Sequence, residues 1–195
     1  MRAVTAIPQP PGRLLTVREY AGLDEGEHGR CELVEGNLLM APSPTPDHMI
    51  ALGRLYRQLA RQAPDSLEVI LAVDIDLELT PPDQPGFARR PDLVVVEYGA
   101  VRRVRAQGGL LRASEALLVI EIISPGSRRT DTVVKRGAYA DARIPWYWIV
   151  DIDKPVSLVA CHQADEFGYL EDNAATGVFT ADQPFPVHLD LDQLR

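Results

Sequence analysis

Apolar and polar positions along the chain change period several times, and each change predicts an element. Over residues 47–63, Ile50, Leu52, Leu55, Leu59 and Ala63 recur at helical spacing while Arg54, Arg57, Arg61 and Gln62 take the outer positions. That spacing predicts an amphipathic helix, capped by Thr45 or Asp47 and closed by Pro64. Residues 14–23 read as a short helix with Thr16 as N-cap and Glu19 reaching back as in a capping box; Gly22 and Gly26 fray it into a turn. Residues 31–41 form two extended halves around Glu35-Gly36-Asn37, a hairpin signature, ended by Pro42, Pro44 and Pro46. In residues 68–79, Val73, Ile75, Leu77 and Leu79 alternate with acidic neighbours, which predicts a long strand or a bent hairpin with one wet face.

The second half is more apolar. Leu93 to Val96 and the run Leu117–Ile123 read as buried strands, the first opened by Pro91-Asp92, where a missing N–H is tolerated. Residues 97–115 lack steady periodicity and are broken by Gly108-Gly109. A helix is expected over about 129–141, then a strand at 146–151 (WYWIVD), aromatic and β-branched. Residues 156–163 and 167–171 predict a hairpin across Ala164-Asp165-Glu166, and 179–194 a loop with a last short strand or turn. This order predicts an α/β or α+β chain: a single domain on a mixed sheet, with hairpins before and after.

Composition narrows the class. A chain of 195 residues supports one core, and 46% hydrophobic with 25% charged residues is the balance of a globular protein. No apolar run approaches the roughly 20 residues of a membrane helix. Residues 1–13 read as a loose arm and not a secretory signal, leaving residues 14–195 as the domain. Cys31 and Cys161 form no CxxC pair, so buried thiols and a reducing, cytoplasmic setting are expected. The formal charge of -8 opposes nonspecific attraction to nucleic acid. It is unevenly spread: Arg89, Arg90, Arg102, Arg103, Arg105 and Arg112 make either a local basic lobe or an ordinary solvated loop, whereas acids crowd the region after Asp151.

Candidate chemistry begins at Glu121, a carboxylate inside an apolar strand, where burial is unfavourable unless it is paired or coordinated. Asp92, at the mouth of another strand, can supply a second carboxylate, and a hard cation such as Mg²⁺ relieves the repulsion between two such groups. Asp131, Lys135 and Tyr139 share one helical stripe, and Lys135 is one of only two lysines in the chain. That lysine either belongs to a surface pair with Asp131 or serves the carboxylates as a compact cation. His48 lies in the first turn of the long helix, where the helix dipole disfavours a positive charge; packing and a site role both remain open. Trp146, Tyr147 and Trp148 read as core, and Asp151 as a turn residue.

Pro91-Asp92, the Glu121 strand running into Ser124-Pro125, Asp131 with Lys135 and Tyr139, PWYWIVD at 145–151, and CELVEGNLLMAPSPTPDH at 31–48 together resemble the putative restriction endonuclease family of the PD-(D/E)XK nuclease superfamily. The resemblance spans roughly residues 14–162. It implies a restriction endonuclease-like fold, with a central mixed β-sheet flanked by helices, and phosphodiester hydrolysis of nucleic acid, in the first place DNA, by a homodimer. It also implies Mg²⁺ or Mn²⁺ held by Asp92, Glu121 and the Ile122 carbonyl, with Glu32 supporting the metal. Lys135 takes the place of the motif lysine, since Ile123 stands two residues after Glu121. His48, Asp131 and Tyr139 fall on supporting polar positions. The competing reading is a module on the same scaffold that binds nucleic acid or a protein without cutting.

Overall fold

Side chains on a strand point alternately to opposite faces, and in this protein that alternation separates a dry face from the one that carries the acids. The computed structural model describes residues 13–24, 29–124 and 126–195. The arm expected over residues 1–13, save Arg13, and the turn at Gly26 lie outside them.

The central strand is β8 (Ala116–Ile123), which pairs antiparallel with β6 (Leu93–Glu97) and parallel with β9 (Trp146–Asp151). Beyond β6 lies β3 (Leu67–Leu71), and beyond β9 lie β10 (Ser157–Gln163), β11 (Tyr169–Glu171) and the short β12 (Ala175–Thr176), making a seven-stranded mixed sheet. Leu93, Val95, Leu118, Ile120, Trp148 and Val150 share one face and pack against helix α2 (Pro46–Ala60) through Ala51, Leu52, Leu55 and Leu59. Leu55 and Leu59 are fully buried, each contributing roughly 1.5–3 kcal/mol by removal from water. Thr45 caps this helix and Pro46 occupies its first turn, where a missing N–H is tolerated.

The opposite face carries Val94, Val96, Val119, Tyr147 and Ile149 and is covered by a second, five-stranded sheet and by the β8–β9 crossover. A parallel pair cannot be joined by a tight hairpin; here a π-helix over Thr130–Lys135 leads into a short α-helix, Arg136–Asp141. The second sheet contains the hairpin β1 (Cys31–Val34) and β2 (Asn37–Met40), then β5 (Ala88–Arg89), β4 (Ile75–Asp76) and β7 (Leu111–Arg112). The hairpin turns on Glu35 and Gly36, both at positive φ (50° and 74°), the geometry that two-residue hairpin loops favour.

Several expectations are met: the Thr16–Glu19 capping box on α1 (Val17–Ala21), the hairpin at 31–41, the long helix, and the strand at 146–151. Three differ. The alternating stretch 68–79 is neither one strand nor a hairpin; the chain breaks at Ala72 (φ 47°) and passes from the large sheet to the second one. Residues 98–107 form a helix, α3 (Tyr98–Gln107), hidden from a periodicity reading because only Ala100 of it is buried. The C-terminal segment is a full hairpin, β13 (Val178–Ala181) with β14 (Val187–Asp190). Gln58 of α2 and Gln62 in the turn just after it meet the free rim of β14: each carboxamide accepts from and donates to the backbone of Asp190 or His188, at 2.8–3.0 Å.

Candidate active site

The pairing of β6 with β8 follows the register Leu93↔Ile120 and Val94↔Val119. One residue further along, that register sets Asp92 beside Glu121, and both fall on the face of Val94 and Val119. Asp92 Oδ2 accepts the Ile122 peptide N–H at 2.7 Å. Both strands end here because Pro91 precedes β6 and the Ser124 turn follows β8.

Four further polar side chains converge from other elements. Lys135, at the end of the π-helix, lies 2.9 Å from Glu121 Oε1, 3.3 Å from Glu32 Oε1 and 3.8 Å from Asp131 Oδ1. Tyr139, one turn on, donates to the same Glu121 oxygen at 2.8 Å and is fully buried. Glu32, on β1, is held by Arg89 (2.7 Å) and by the Arg90 peptide N–H (3.2 Å). His48 bridges Asp92 Oδ1 (2.9 Å) and Ser124 Oγ (2.8 Å). All the residues named from sequence thus lie in one polar cluster where the two sheets meet.

Burial affects these groups differently. Desolvation pushes Glu121 up to about 8; Lys135 opposes the shift, while Asp92, Asp131 and Glu32 add to it. Glu32 is equally buried, yet Lys135, Arg89 and the Arg90 N–H outweigh desolvation and hold it below the ordinary carboxylate range. Asp131 is raised by burial against the pull of Lys135 and Ser127. Desolvation works against the Lys135 charge, but Glu121, Glu32 and Asp131 overcome it and hold the ammonium well above its ordinary value.

Three contributors were not singled out from sequence. Ser124 and Ser127 sit in the turn after β8, and Arg89 reads in sequence as part of a basic loop. Arg89 is instead buried beside Glu32, Arg90 clasps Asp74 (2.7 and 2.9 Å), and Arg103 clasps Glu115, so half of the supposed basic lobe is held in ion pairs. The available signal was position: Arg89 is three residues before Asp92, and Ser124 three after Glu121.

Among the described residues, no three or more His, Cys, Asp or Glu side chains are grouped as a ready-made cage for a metal ion. The donor chemistry still fits a hard divalent cation. Mg²⁺ is commonly held by only one or two carboxylates and keeps several waters. The cluster sets four acids (Glu32, Asp92, Glu121, Asp131) against two permanent bases (Lys135, Arg89); burial is the main reason Glu121 is raised, and the repulsion from Asp92, Asp131 and Glu32 that adds to it is what a cation would relieve. Asp92 and Glu121 would be its holders.

Fold and site together define a restriction endonuclease-like scaffold of the PD-(D/E)XK type. The chain matches the family Uma2, described as putative restriction endonuclease, over residues 17–192, and it belongs to that family. It is similar in structure to a putative nuclease belonging to DUF820 from Anabaena variabilis ATCC 29413, with a TM-score of 0.67 at 16% identity, covering 92% of this chain and 97% of that one. No curated protein matches the sequence. Family and fold place the chain among nuclease-like proteins. Among the described residues no helix is long and apolar enough to cross a membrane.

Proposed function

We propose that this protein is a metal-dependent nuclease that hydrolyses phosphodiester bonds in DNA. The observation that carries the reading is the meeting of Asp92 and Glu121 on neighbouring strands with the Lys135 ammonium hydrogen-bonded to Glu121. Mg²⁺ or Mn²⁺ bound there supplies an acidified water and offsets charge on the phosphate oxygens. The protein's own part is positional. Lys135, held between Glu121 and Glu32, presents a fixed positive charge to an attacking water or to the phosphate. Glu32 stays ionised and keeps that ammonium in place. Tyr139 fixes the Glu121 carboxylate from the buried side. The reading includes a homodimer, since a cut in both strands calls for two centres and two-fold pairing is the commonest symmetry. It also includes a cytoplasmic setting, in keeping with two buried free thiols.

Supercoiled plasmid incubated with Mg²⁺ or Mn²⁺ tests this directly. Wild-type protein is expected to nick or linearise it, and chelator, Asp92→Ala and Glu121→Ala are each expected to stop the reaction. Cleavage undiminished in both variants removes this site. Light scattering showing only monomer at high concentration removes the dimer.

One observation favours a second reading, a non-cutting module: three carboxylates already surround Lys135. Calorimetry separates the two. Mn²⁺ binding that Asp92→Ala abolishes counts for the nuclease, and absence of both binding and cleavage counts for the module.

A further inference from the structure

His48 is buried in the first turn of α2 and uses both ring nitrogens, Nε2 on Asp92 Oδ1 at 2.9 Å and Nδ1 on Ser124 Oγ at 2.8 Å. A carboxylate only accepts hydrogen bonds, so the proton of the neutral ring belongs on Nε2. Nδ1 is then an acceptor, and the Ser124 hydroxyl must donate to it. With Oδ2 taking the Ile122 N–H, each oxygen of Asp92 is anchored by one bond, which fixes the carboxylate plane and leaves each oxygen a further lone pair.

Ser124 is itself restrained. Its peptide N–H donates to Ser127 Oγ at 2.9 Å, and that hydroxyl donates to Asp131 Oδ2 at 2.5 Å. Asp131 in turn faces Lys135, which holds Glu121. A chain of polar contacts therefore runs from one strand-borne carboxylate, through the turn after β8, to the other.

We propose that His48 is a positioning residue that fixes the Asp92 carboxylate for a divalent cation, with Ser124 setting which ring nitrogen carries the proton. This rests on the nuclease reading for the identity of what Asp92 holds. The same order of groups, hydroxyl, imidazole and carboxylate, also occurs where a serine acts as nucleophile. Here the Ser124 amide, the first donor an acyl oxyanion would look to, is already bonded to Ser127, which favours the positioning role.

The test uses the full chain and the variants His48→Ala, His48→Gln and Ser124→Ala. ¹⁵N NMR of the metal-free protein at mildly alkaline pH is expected to show His48 protonated on Nε2, with the two tautomers mixing in Ser124→Ala. Mn²⁺ titration followed by electron paramagnetic resonance is expected to weaken about 10–100-fold in His48→Ala, the range typical for lost outer partners of metal ligands. His48→Gln, whose side-chain amide can still donate to Asp92, is expected to recover most of that affinity, and circular dichroism identifies any variant that fails to fold. Protonation on Nδ1 in the wild type overturns the proposal, as does covalent labelling of Ser124 by a fluorophosphonate. Mn²⁺ binding lost in Asp92→Ala but untouched in His48→Ala overturns it while sparing the nuclease reading. Binding unchanged in Asp92→Ala overturns the metal reading beneath both.

Discussion

Ile120 and Glu121 are neighbours on β8, both buried, and they look into opposite halves of the molecule. On the side of Ile120, aliphatic and aromatic side chains fill space against α2, and its contacts are apolar packing, with the buried Trp148 indole N–H as a polar exception. Around Glu121, each group is tolerable only because another sits beside it: Lys135 and Tyr139 on Glu121, Arg89 on Glu32, His48 on Asp92. The two faces therefore fail differently. A methylene removed from the first leaves a void, whereas a partner removed from the second leaves a stranded charge.

The largest expected effect comes from the polar side. Arg89→Ala breaks a buried ion pair and leaves Glu32 with Lys135 as its one remaining cation in the cluster, and it is expected to lower stability by about 3–5 kcal/mol in urea denaturation. A loss under 1 kcal/mol would mean that the polar face does not depend on pairing. Next, Ile120→Ala is expected to lose about 2–5 kcal/mol while the folded fraction keeps its Mn²⁺ affinity. Weakened metal binding per folded molecule would show that the faces are coupled.

Glu121→Gln sharpens the contrast through pH. The folded state holds the Glu121 proton up to about 8, whereas an ordinary glutamate releases it near 4.5. Between those values the folded protein binds more protons than the unfolded chain, so stability falls as pH rises. With chelator present, the wild-type melting temperature is expected to decline across that window and the Gln variant to decline less. Equal slopes would place the proton elsewhere. The smallest change is expected for Gln58→Ala, about 1–2 kcal/mol, since it leaves Asp190 backbone groups without their partner.

Much of the dry face was legible because burial by shape leaves a trace in the sequence: Leu52, Leu55 and Leu59 at helical spacing on α2, and the apolar run of β8 that Glu121 alone interrupts. The acids were legible for the opposite reason, as exceptions within apolar runs, which is how Asp92 and Glu121 were found. Of the partners that make those exceptions tolerable, Lys135, Tyr139 and His48 stand out in the sequence as candidates, whereas Arg89 leaves no such trace. Nothing in the sequence sets Arg89 apart from the exposed Arg102 and Arg105, and its burial follows from the pairing of β5 with β1 and β4. Lys135 reaches Glu121 from a π-helix, a widened turn with no sequence period of its own. α3 is hard to read because its inner stripe is short: one buried alanine, Ala100, with the half-buried Val101 and Val104.

The carboxamides of Gln58 and Gln62 have a bearing on solubility. By occupying the donors and acceptors along β14, they let a helix stand in for a neighbouring strand, so this rim offers no template on which a stray chain could add itself and grow. Replacing both glutamines should accordingly show first as aggregation on storage.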